Sequence, residues 1–239
     1  MSYILTFLFA YMLGCSNMAL YLSKLKKVDL RADGSKNLGA SNATILMGLK
    51  AGILVALHDV GKAALAVLLA NIVYPDVANI GAVAGVAAVL GHIFPAPMKF
   101  RGGKGFASYI GMTLALNWRF ALVVIGVIVV VSLITDYIVA GTTATVLMVP
   151  SYLGWVQHSA WLAGILLVGT AVILTNIRKT TSAFWQAPSS ACGRRCSKRN
   201  KRSQKKAPFR VLFCWNTCYF TVNSTAELYQ SQISSFPSP

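Results

Sequence analysis

Apolar residues run almost without interruption from Tyr3 to Thr175, and only short polar strings separate them. Crossing the hydrocarbon core of a bilayer takes about 20 helical residues, or fewer where the bilayer thins or a helix lies among others. The pattern therefore predicts an all-α, polytopic membrane bundle of about seven transmembrane helices. The second of these joins two short apolar segments across His58 and Asp59 as one long or broken helix. The predicted crossings are residues 3–22, 43–74, 78–98, 106–117, 120–137, 139–156 and 159–176.

Lysine and arginine in the short loops predict how this bundle is oriented. Residues 23–42 carry five of these cations and residues 99–105 carry three. Because short cytoplasmic loops are enriched in Lys and Arg, both loops are expected at the cytoplasmic face, with the N-terminus outside. The linkers near residues 74–76 and 136–137 hold Asp but no cation, and we expect them at the outer face.

Composition agrees with a membrane protein and divides the chain into two parts. Charged residues make up 12% of the chain, about half the share in a soluble domain. Residues 1–176 hold eleven Lys or Arg and five Asp, whereas residues 177–239 hold eleven Lys or Arg, one Glu and four of the five cysteines. We therefore predict a membrane domain over residues 1–176 and a basic, cysteine-containing tail over residues 177–239.

The string Lys99-Phe-Arg-Gly-Gly-Lys-Gly105 has the composition of a phosphate-binding loop at the start of a helix. Its glycines permit positive φ and a close backbone approach, so that successive N–H groups can converge on an oxyanion. The next helix adds its partial positive N-terminus, and two side chains add formal charge. The alternative is a positive-inside loop with flexible glycines. The predicted phosphate ligands are Arg101, Gly102, Gly103, Lys104 and Gly105.

The first polar string along the chain, Gly34–Asn42, offers neutral hydrogen-bonding groups at the same predicted face. Ser35, Asn37, Ser41 and Asn42 are more polar groups than one helix N-cap needs. For Ser41 or Asn42 taken alone, capping the helix that starts near residue 43 is the simpler interpretation.

Three polar residues lie inside the apolar segments themselves. Asp59 and Lys62 are one helical turn apart, so they either neutralise each other or contact a substrate. His92 stands near a helix end, where a lone histidine is more often structural, although its usual pKa suits proton transfer. The histidines show no His-x4-Asp acyltransferase motif and no zinc pattern, and the sequence implies no metal or cofactor.

Together these strings resemble the PlsY family, the bacterial acyl-phosphate:glycerol-3-phosphate acyltransferases of the cell membrane. The resemblance covers residues 1 to about 176 in order and spacing. It implies a seven-helix bundle with an external N-terminus. It also implies acyl transfer from acyl phosphate to the 1-hydroxyl of sn-glycerol 3-phosphate, which gives lysophosphatidate in the first acylation of phospholipid synthesis. The strings are Asp29-Leu-Arg31, Gly34-Ser-x-Asn-x-Gly-Ala-Ser-Asn42, Asp59-x-x-Lys62, and Gly91-His-Ile-Phe-Pro95 followed by Lys99-Phe-Arg-Gly-Gly-Lys-Gly105.

The resemblance also implies roles for individual residues. Ser35 falls on the family's essential serine and, with Asn37 or Asn42, would orient the acyl phosphate and stabilise charge on its carbonyl oxygen. Residues 101–105 fall on the glycerol-phosphate loop. His92 is a candidate base, although the phosphate leaving group can accept the proton itself. The implied partners are sn-glycerol 3-phosphate, acyl phosphate and membrane lipid.

Two departures from the family pattern stand out. Ile45 occupies a position where the family usually has Arg, so a phosphate cation is missing unless Lys50 or Lys62 reaches the site. The family's terminal His-x-x-Asn-x-x-Arg…Gly-x-Glu string is also absent. Back-translation of residues 177–193, read one nucleotide earlier, allows the missing string. In that frame the codon at Ile177 can encode His, that at Thr180 Asn, that at Ala183 Arg, that at Ala187 Gly and that at Ser189 Glu.

We therefore interpret the tail as out of frame and disordered, and expect little or no activity from the chain as written. The polybasic run Arg194–Lys206 would otherwise suggest an arm for anionic lipid or nucleic acid, and we expect no nucleic-acid partner. The rival function is a transporter or binding protein for a phosphorylated metabolite. Inverted repeats and helices broken in corresponding halves would favour it, and the sequence shows neither.

Overall fold

The computed structural model describes residues 1–34, 37–135 and 138–185, and every regular element among them is helical. This confirms the predicted all-α class. A short 3₁₀ turn, Ala96–Met98, follows the fifth helix. The α-helices are α1 Ser2–Gly14, α2 Met18–Lys26, α3 Ala40–Met47, α4 Leu49–Val73, α5 Ile80–Ile93, α6 Phe106–Leu116, α7 Trp118–Thr135, α8 Ile138–Val156 and α9 Ala160–Trp185.

Six helical segments in the described residues are long and apolar enough to cross a membrane, and α6 is a shorter apolar helix. They correspond to the seven predicted segments, with two differences in detail. The first segment is broken between α1 and α2, where the Asn17 side chain caps α2 by accepting a 3.0 Å hydrogen bond from the Leu20 N–H. The second breaks at Gly48, whose φ of +90° suits glycine, while α4 continues through His58 and Asp59.

The centre of the bundle is α5, which packs against α1, α4 and α6. In the apolar stretch of this span 72% is buried inside the protein, against at most 39% in the other candidate spans. Small residues allow the helix backbones to approach closely, as is common between membrane helices. A Cβ atom on Gly91 of α5 would overlap the Tyr11 carbonyl of α1, and one on Gly111 of α6 would overlap the Val60 carbonyl of α4.

A proline in α8 creates a buried polar junction between three helices. Pro150 has no N–H, so the carbonyl of Val146, four residues earlier, loses its helical partner. Two side chains replace that partner: the Tyr109 hydroxyl of α6 donates to it at 3.2 Å and the Thr170 hydroxyl of α9 at 3.0 Å. These hydroxyl groups satisfy the Val146 carbonyl, since the hydrocarbon core offers no water as a hydrogen-bond donor.

Contacts near the ends of α5 define two ends of the bundle. At its start, a cavity of about 190 Å³ is lined by residues that include Asn79, Leu116, Leu153 and Gln157. At its other end α5 leads to residues 99–105. Because α7 begins beside Leu116 and α8 ends beside Gln157, the other ends of α7 and α8 lie toward residues 99–105. Residues 136–137, whose linker we expected at the outer face, lie outside the described residues, so that expectation stays a prediction.

The chain divides into two units, Met1–Asn176 and Ile177–Pro239, and the site described below lies in the first. Helix α9 continues to Trp185, beyond the predicted end of the last crossing at residue 176. The disorder predicted for the tail concerns residues that lie mostly outside the described ranges, and it stays a prediction.

Candidate phosphate site and the ion cluster beside it

The segment Arg101–Gly105, called the glycine loop from here on, folds back onto the end of α5. The Gly102 N–H donates to the Ile93 carbonyl and the Gly103 N–H to the His92 carbonyl, both at 3.1 Å. These two amides were expected to bind a ligand, and in the structure they bind the protein instead. The reason is that the chain reverses directly after α5, so the loop backbone pairs with the last residues of that helix.

Gly102 and Gly103 are therefore needed for close packing. A Cβ atom on Gly102 would overlap the His92 carbonyl oxygen, and one on Gly103 would overlap Nε2 of the His92 ring. The turn before them is tight as well, since Lys99 and Phe100 have φ values of +55° and +58°. Residues other than glycine seldom adopt positive φ values, and they do so where the surrounding structure holds them in that conformation.

The charged part of the loop leads straight into α6. Gly105 is the N-cap residue with φ +87°, and no side chain caps the helix. The first N–H groups of a helix have no partner within the helix and carry partial positive charge. Arg101 is exposed beside this helix end and Lys104 is partly buried there. Burial lowers the pKa of Lys104 to about 8, because an ammonium group loses hydration inside the protein.

The first polar string is organised around Asn42, which is 1% exposed. Its side-chain Nδ2 donates to the carbonyls of Leu30 at 2.9 Å, Asn37 at 3.1 Å and Asp33 at 3.2 Å. These bonds give the Asn42 side chain a structural role, and neither Asn42 nor Ser41 is the N-cap, whereas a contact between Asn42 and substrate stays a prediction. Helix α3 starts at Ala40, with Gly39 as N-cap.

Asn37 stays a candidate, since it is partly buried and only its carbonyl takes part in this network. Ser35 lies outside the described residues, so its role as the reacting-centre hydroxyl stays a prediction.

Arg31, which had no predicted role, connects the two polar strings. Its Nη2 donates to the Arg101 carbonyl at 3.0 Å. The Asp29 carboxylate accepts from the N–H groups of Arg31 at 2.8 Å and Ala32 at 3.3 Å, which fixes the turn that carries the arginine. The Asp-x-Arg pattern indicates such a turn in the sequence, but nothing in it identifies Arg101 as the partner.

A buried ion cluster lies beside the glycine loop, formed by Asp59, Lys62 and His92, which are 2%, 5% and 3% exposed. Lys62 Nζ lies 3.0 Å from the Asp59 carboxylate, 2.7 Å from the Ser16 carbonyl oxygen and 2.7 Å from His92 Nδ1. Lys62 was predicted to bind substrate phosphate. In the structure this ammonium group is buried, hydrogen-bonded to Ser16 and His92 and paired with Asp59, so the geometry favours the neutralising role that the sequence also allowed.

Comparisons with known proteins agree with one another. The family model described as glycerol-3-phosphate acyltransferase matches residues 4–186. The glycerol-3-phosphate acyltransferase of Coxiella burnetii (strain CbuG_Q212) is 35% identical over 174 residues, which cover 72% of this chain and 90% of that protein. Glycerol-3-phosphate acyltransferase 1 of Oceanobacillus iheyensis is 38% identical over 148 residues, covering 59% of this chain and 72% of the relative.

Solved structures show the same likeness in three dimensions. The crystal structure of PlsY, an integral membrane glycerol 3-phosphate acyltransferase, in its glycerol 3-phosphate form matches with a TM-score of 0.71 and 29% identity. That match covers 77% of this chain and 92% of the other. Its lysophosphatidic acid form matches with a TM-score of 0.70 and 28% identity, at the same coverage. The chain therefore belongs to the glycerol-3-phosphate acyltransferase family of integral membrane enzymes.

Proposed function

We propose that this chain transfers an acyl group from acyl phosphate to the 1-hydroxyl of sn-glycerol 3-phosphate, forming lysophosphatidate and phosphate. The proposed site lies in the cytoplasmic membrane and opens to the cytoplasm, because both cation-rich loops belong to one end of the bundle. One observation carries the substrate assignment: Lys104, with its lowered pKa, stands in a glycine loop directly before the N-terminus of α6. A phosphate dianion there offsets part of the hydration that burial removes from the ammonium group.

The phosphate of glycerol 3-phosphate is held in this proposal by Arg101, Lys104 and the first amides of α6. Arginine binds phosphate oxygens bidentately, and lysine acts as a point charge. The amides of Gly102 and Gly103 hold the loop against the end of α5, since they donate hydrogen bonds to its carbonyls.

The acyl group is transferred beside the first polar string, where Ser35 and Asn37 orient the acyl phosphate. The 1-hydroxyl oxygen attacks the acyl carbonyl carbon, and the bond between that carbon and the phosphate oxygen breaks. The hydroxyl proton passes to the departing phosphate, so atoms and charges balance without a further reagent. Holding both anionic substrates together supplies much of the acceleration, and hydrogen-bond donors stabilise charge on the carbonyl oxygen.

The test is formation of lysophosphatidate from a long-chain acyl phosphate and glycerol 3-phosphate in membranes that contain the protein. Two proteins are compared: the chain as written and a frame-corrected protein in which residues from 177 onward are read one nucleotide earlier. We expect little or no product from the first and robust turnover from the second. If the corrected protein inserts and yields no product, the proposed function is wrong. Full activity of the chain as written would overturn the frame interpretation.

Within the frame-corrected protein, Ser35→Ala distinguishes a role in acyl transfer from a structural role. We expect a strong loss of kcat with normal insertion and folding, because the hydroxyl is assigned to the reacting centre. Loss of a helix cap, by comparison, costs only about 1 kcal/mol of stability. Near-normal turnover would make Ser35 a structural residue.

A further inference from the structure

The buried ion cluster of Asp59, Lys62 and His92 has a hydrogen-bonding pattern that fixes where its protons lie. A lysine ammonium group has three N–H donors and no acceptor. Lys62 Nζ has three acceptors around it: the Ser16 carbonyl and His92 Nδ1, each at 2.7 Å, and the Asp59 carboxylate at 3.0 Å. The contacts with Ser16 and His92 are hydrogen bonds, whereas the contact with Asp59 is an ion pair in which the carboxylate oxygen accepts no hydrogen bond from the described residues.

The 2.7 Å contact between Lys62 Nζ and His92 Nδ1 indicates the tautomer of His92. In a neutral imidazole one ring nitrogen carries the proton and the other accepts. Because Nδ1 faces the ammonium group at 2.7 Å, it is the accepting nitrogen and the proton resides on Nε2. The Asp59 oxygen lies 3.3 Å from the same Nδ1 and 3.0 Å from Lys62 Nζ, so it compensates the charge of the ammonium group as an ion pair.

The protonated nitrogen faces the glycine loop. A Cβ atom on Gly103 would overlap Nε2, so this nitrogen lies directly against the loop backbone. The same histidine also accepts the Gly103 N–H through its main-chain carbonyl at 3.1 Å. His92 thus contacts the loop through both its backbone and its ring, while Lys62 and Asp59 hold the ring from behind.

We propose that Asp59 and Lys62 are positioning residues that hold His92 as an Nε2–H donor to the phosphate bound at the glycine loop. The inference rests on the proposed function, because that function places a phosphate there. It also reassigns His92, since a nitrogen that already carries a proton cannot serve as the general base. The reacting hydroxyl then loses its proton to the departing phosphate.

The tautomer is measured by ¹⁵N NMR on the full chain labelled with ¹⁵N-histidine, in detergent micelles at neutral pH. The protonated and unprotonated ring nitrogens give well-separated shifts, and the chain has only His58, His92 and His158 to assign. His92→Asn removes one set of signals and so identifies it. We expect His92 to carry its proton on Nε2 alone. A proton on Nδ1 of the wild-type ring would overturn the inference.

A double variant tests whether the cluster causes that tautomer. Asp59→Asn with Lys62→Met removes both charges at similar volume, so the fold does not have to accommodate an unpaired buried ion. We expect the His92 signals to change to a mixture of tautomers, while His158→Gln, at an exposed site in the α8–α9 turn, leaves them unchanged. An unchanged Nε2–H signal in the double variant would remove the positioning role.

The donor role is tested by two substitutions that keep different halves of the ring. Glutamine places an amide near the Nε2 position, whereas asparagine places one near Nδ1. We expect His92→Gln to bind glycerol 3-phosphate within about threefold of wild type, and His92→Asn about tenfold more weakly, as for one lost hydrogen bond to a charged group. Equal affinities of these two variants would overturn the inference. Absence of binding to the wild-type chain, with the Nε2–H tautomer present, would instead count against the proposed function.

Discussion

Lys62 lies near the glycine loop and Lys104 lies within it, and the two lysines differ in burial and in the groups around them. Lys62 is 5% exposed and contacts a carboxylate, a backbone carbonyl and a histidine ring, all within 3.0 Å. Lys104 is partly buried in a glycine loop, and burial lowers its pKa to about 8. The ammonium group of Lys62 is paired with Asp59 inside the bundle, whereas that of Lys104 loses hydration in the loop where our proposal places the phosphate.

Under the proposed function, this difference separates a structural cation within the bundle from a binding cation in a loop. Intramembrane ionisable residues are functional candidates by default, because burying an uncompensated charge is costly. A buried cation whose donors are matched by protein acceptors belongs to the architecture. A partly desolvated cation at a helix N-terminus is a candidate to bind an anionic ligand, because both the cation and the helix end carry positive charge. Substitutions of the two lysines should therefore change different quantities.

The largest effect is expected from Lys62→Met, and it should fall on stability. Removing one partner leaves the Asp59 carboxylate buried and uncompensated, which costs about 3–5 kcal/mol of unfolding free energy. Adding Asp59→Asn to the same chain should recover most of that loss. The measurement is denaturant unfolding in detergent micelles, with Lys50→Met at the exposed start of α4 as the matched control. A loss no larger than that of the control would show that the ion cluster does not stabilise the fold.

Lys104→Met should have the opposite profile, with a smaller effect that falls on binding. A charge-assisted hydrogen bond contributes about 1.5–3 kcal/mol, so the dissociation constant for glycerol 3-phosphate should rise about 10- to 100-fold. Unfolding stability should not fall, because a lysine with a depressed pKa does not favour the folded state. Isothermal titration of the full chain measures the first quantity, and Lys24→Met, at an exposed lysine of α2, serves as control. In the frame-corrected protein, KM for acyl phosphate should change much less than KM for glycerol 3-phosphate.

The lowered pKa of Lys104 also predicts how binding depends on pH. The phosphate of the ligand is already doubly ionised above pH 7, since its second pKa is about 6. Lys104, in contrast, loses its proton as the pH rises through about 8. Affinity for glycerol 3-phosphate should therefore fall by about tenfold between pH 7 and pH 9. The dependence should disappear in Lys104→Met, and its persistence there would assign the titration to another group.

The fold was largely predictable because membrane crossing imposes a length that hydropathy reveals. The break in the second segment was not predictable in the same way. In the sequence, His58 and Asp59 interrupt an apolar segment. Helix α4 nevertheless continues through them, because Asp59 forms an ion pair with Lys62 one turn further along the helix. The real break is at Gly48, where the backbone takes a φ that only glycine adopts easily.

The site was predictable only as far as it depends on local sequence. The cations and the α6 N-terminus were found because loop composition and helix start are local features. The roles of Asn42 and Lys62 were not, because their partners include Leu30, Ser16 and His92, which are 12 to 46 positions away. A sequence shows that such residues are polar, and only the tertiary structure shows whether that polarity is already satisfied.

The smallest effect concerns the position where a phosphate cation is absent. Ile45 lies on α3 one turn after Asn42 and is 40% exposed. Lys62 cannot take the missing cation's place, since its ammonium group is enclosed in the ion cluster. Ile45→Arg should strengthen binding of glycerol 3-phosphate by about 2- to 5-fold, the range of an exposed ion pair of about 0.5–1 kcal/mol.

Ile45→Met is the matched control for this gain, because it adds side-chain length without charge. An electrostatic gain should shrink as salt is raised from low to physiological concentration, since exposed charges are screened over about 8–10 Å. The titration is therefore run at both salt concentrations. A gain that the methionine variant reproduces, or that salt leaves unchanged, would mean that residue 45 acts through packing. Electrostatic attraction of the phosphate would then fall to Arg101 and Lys104 of the glycine loop.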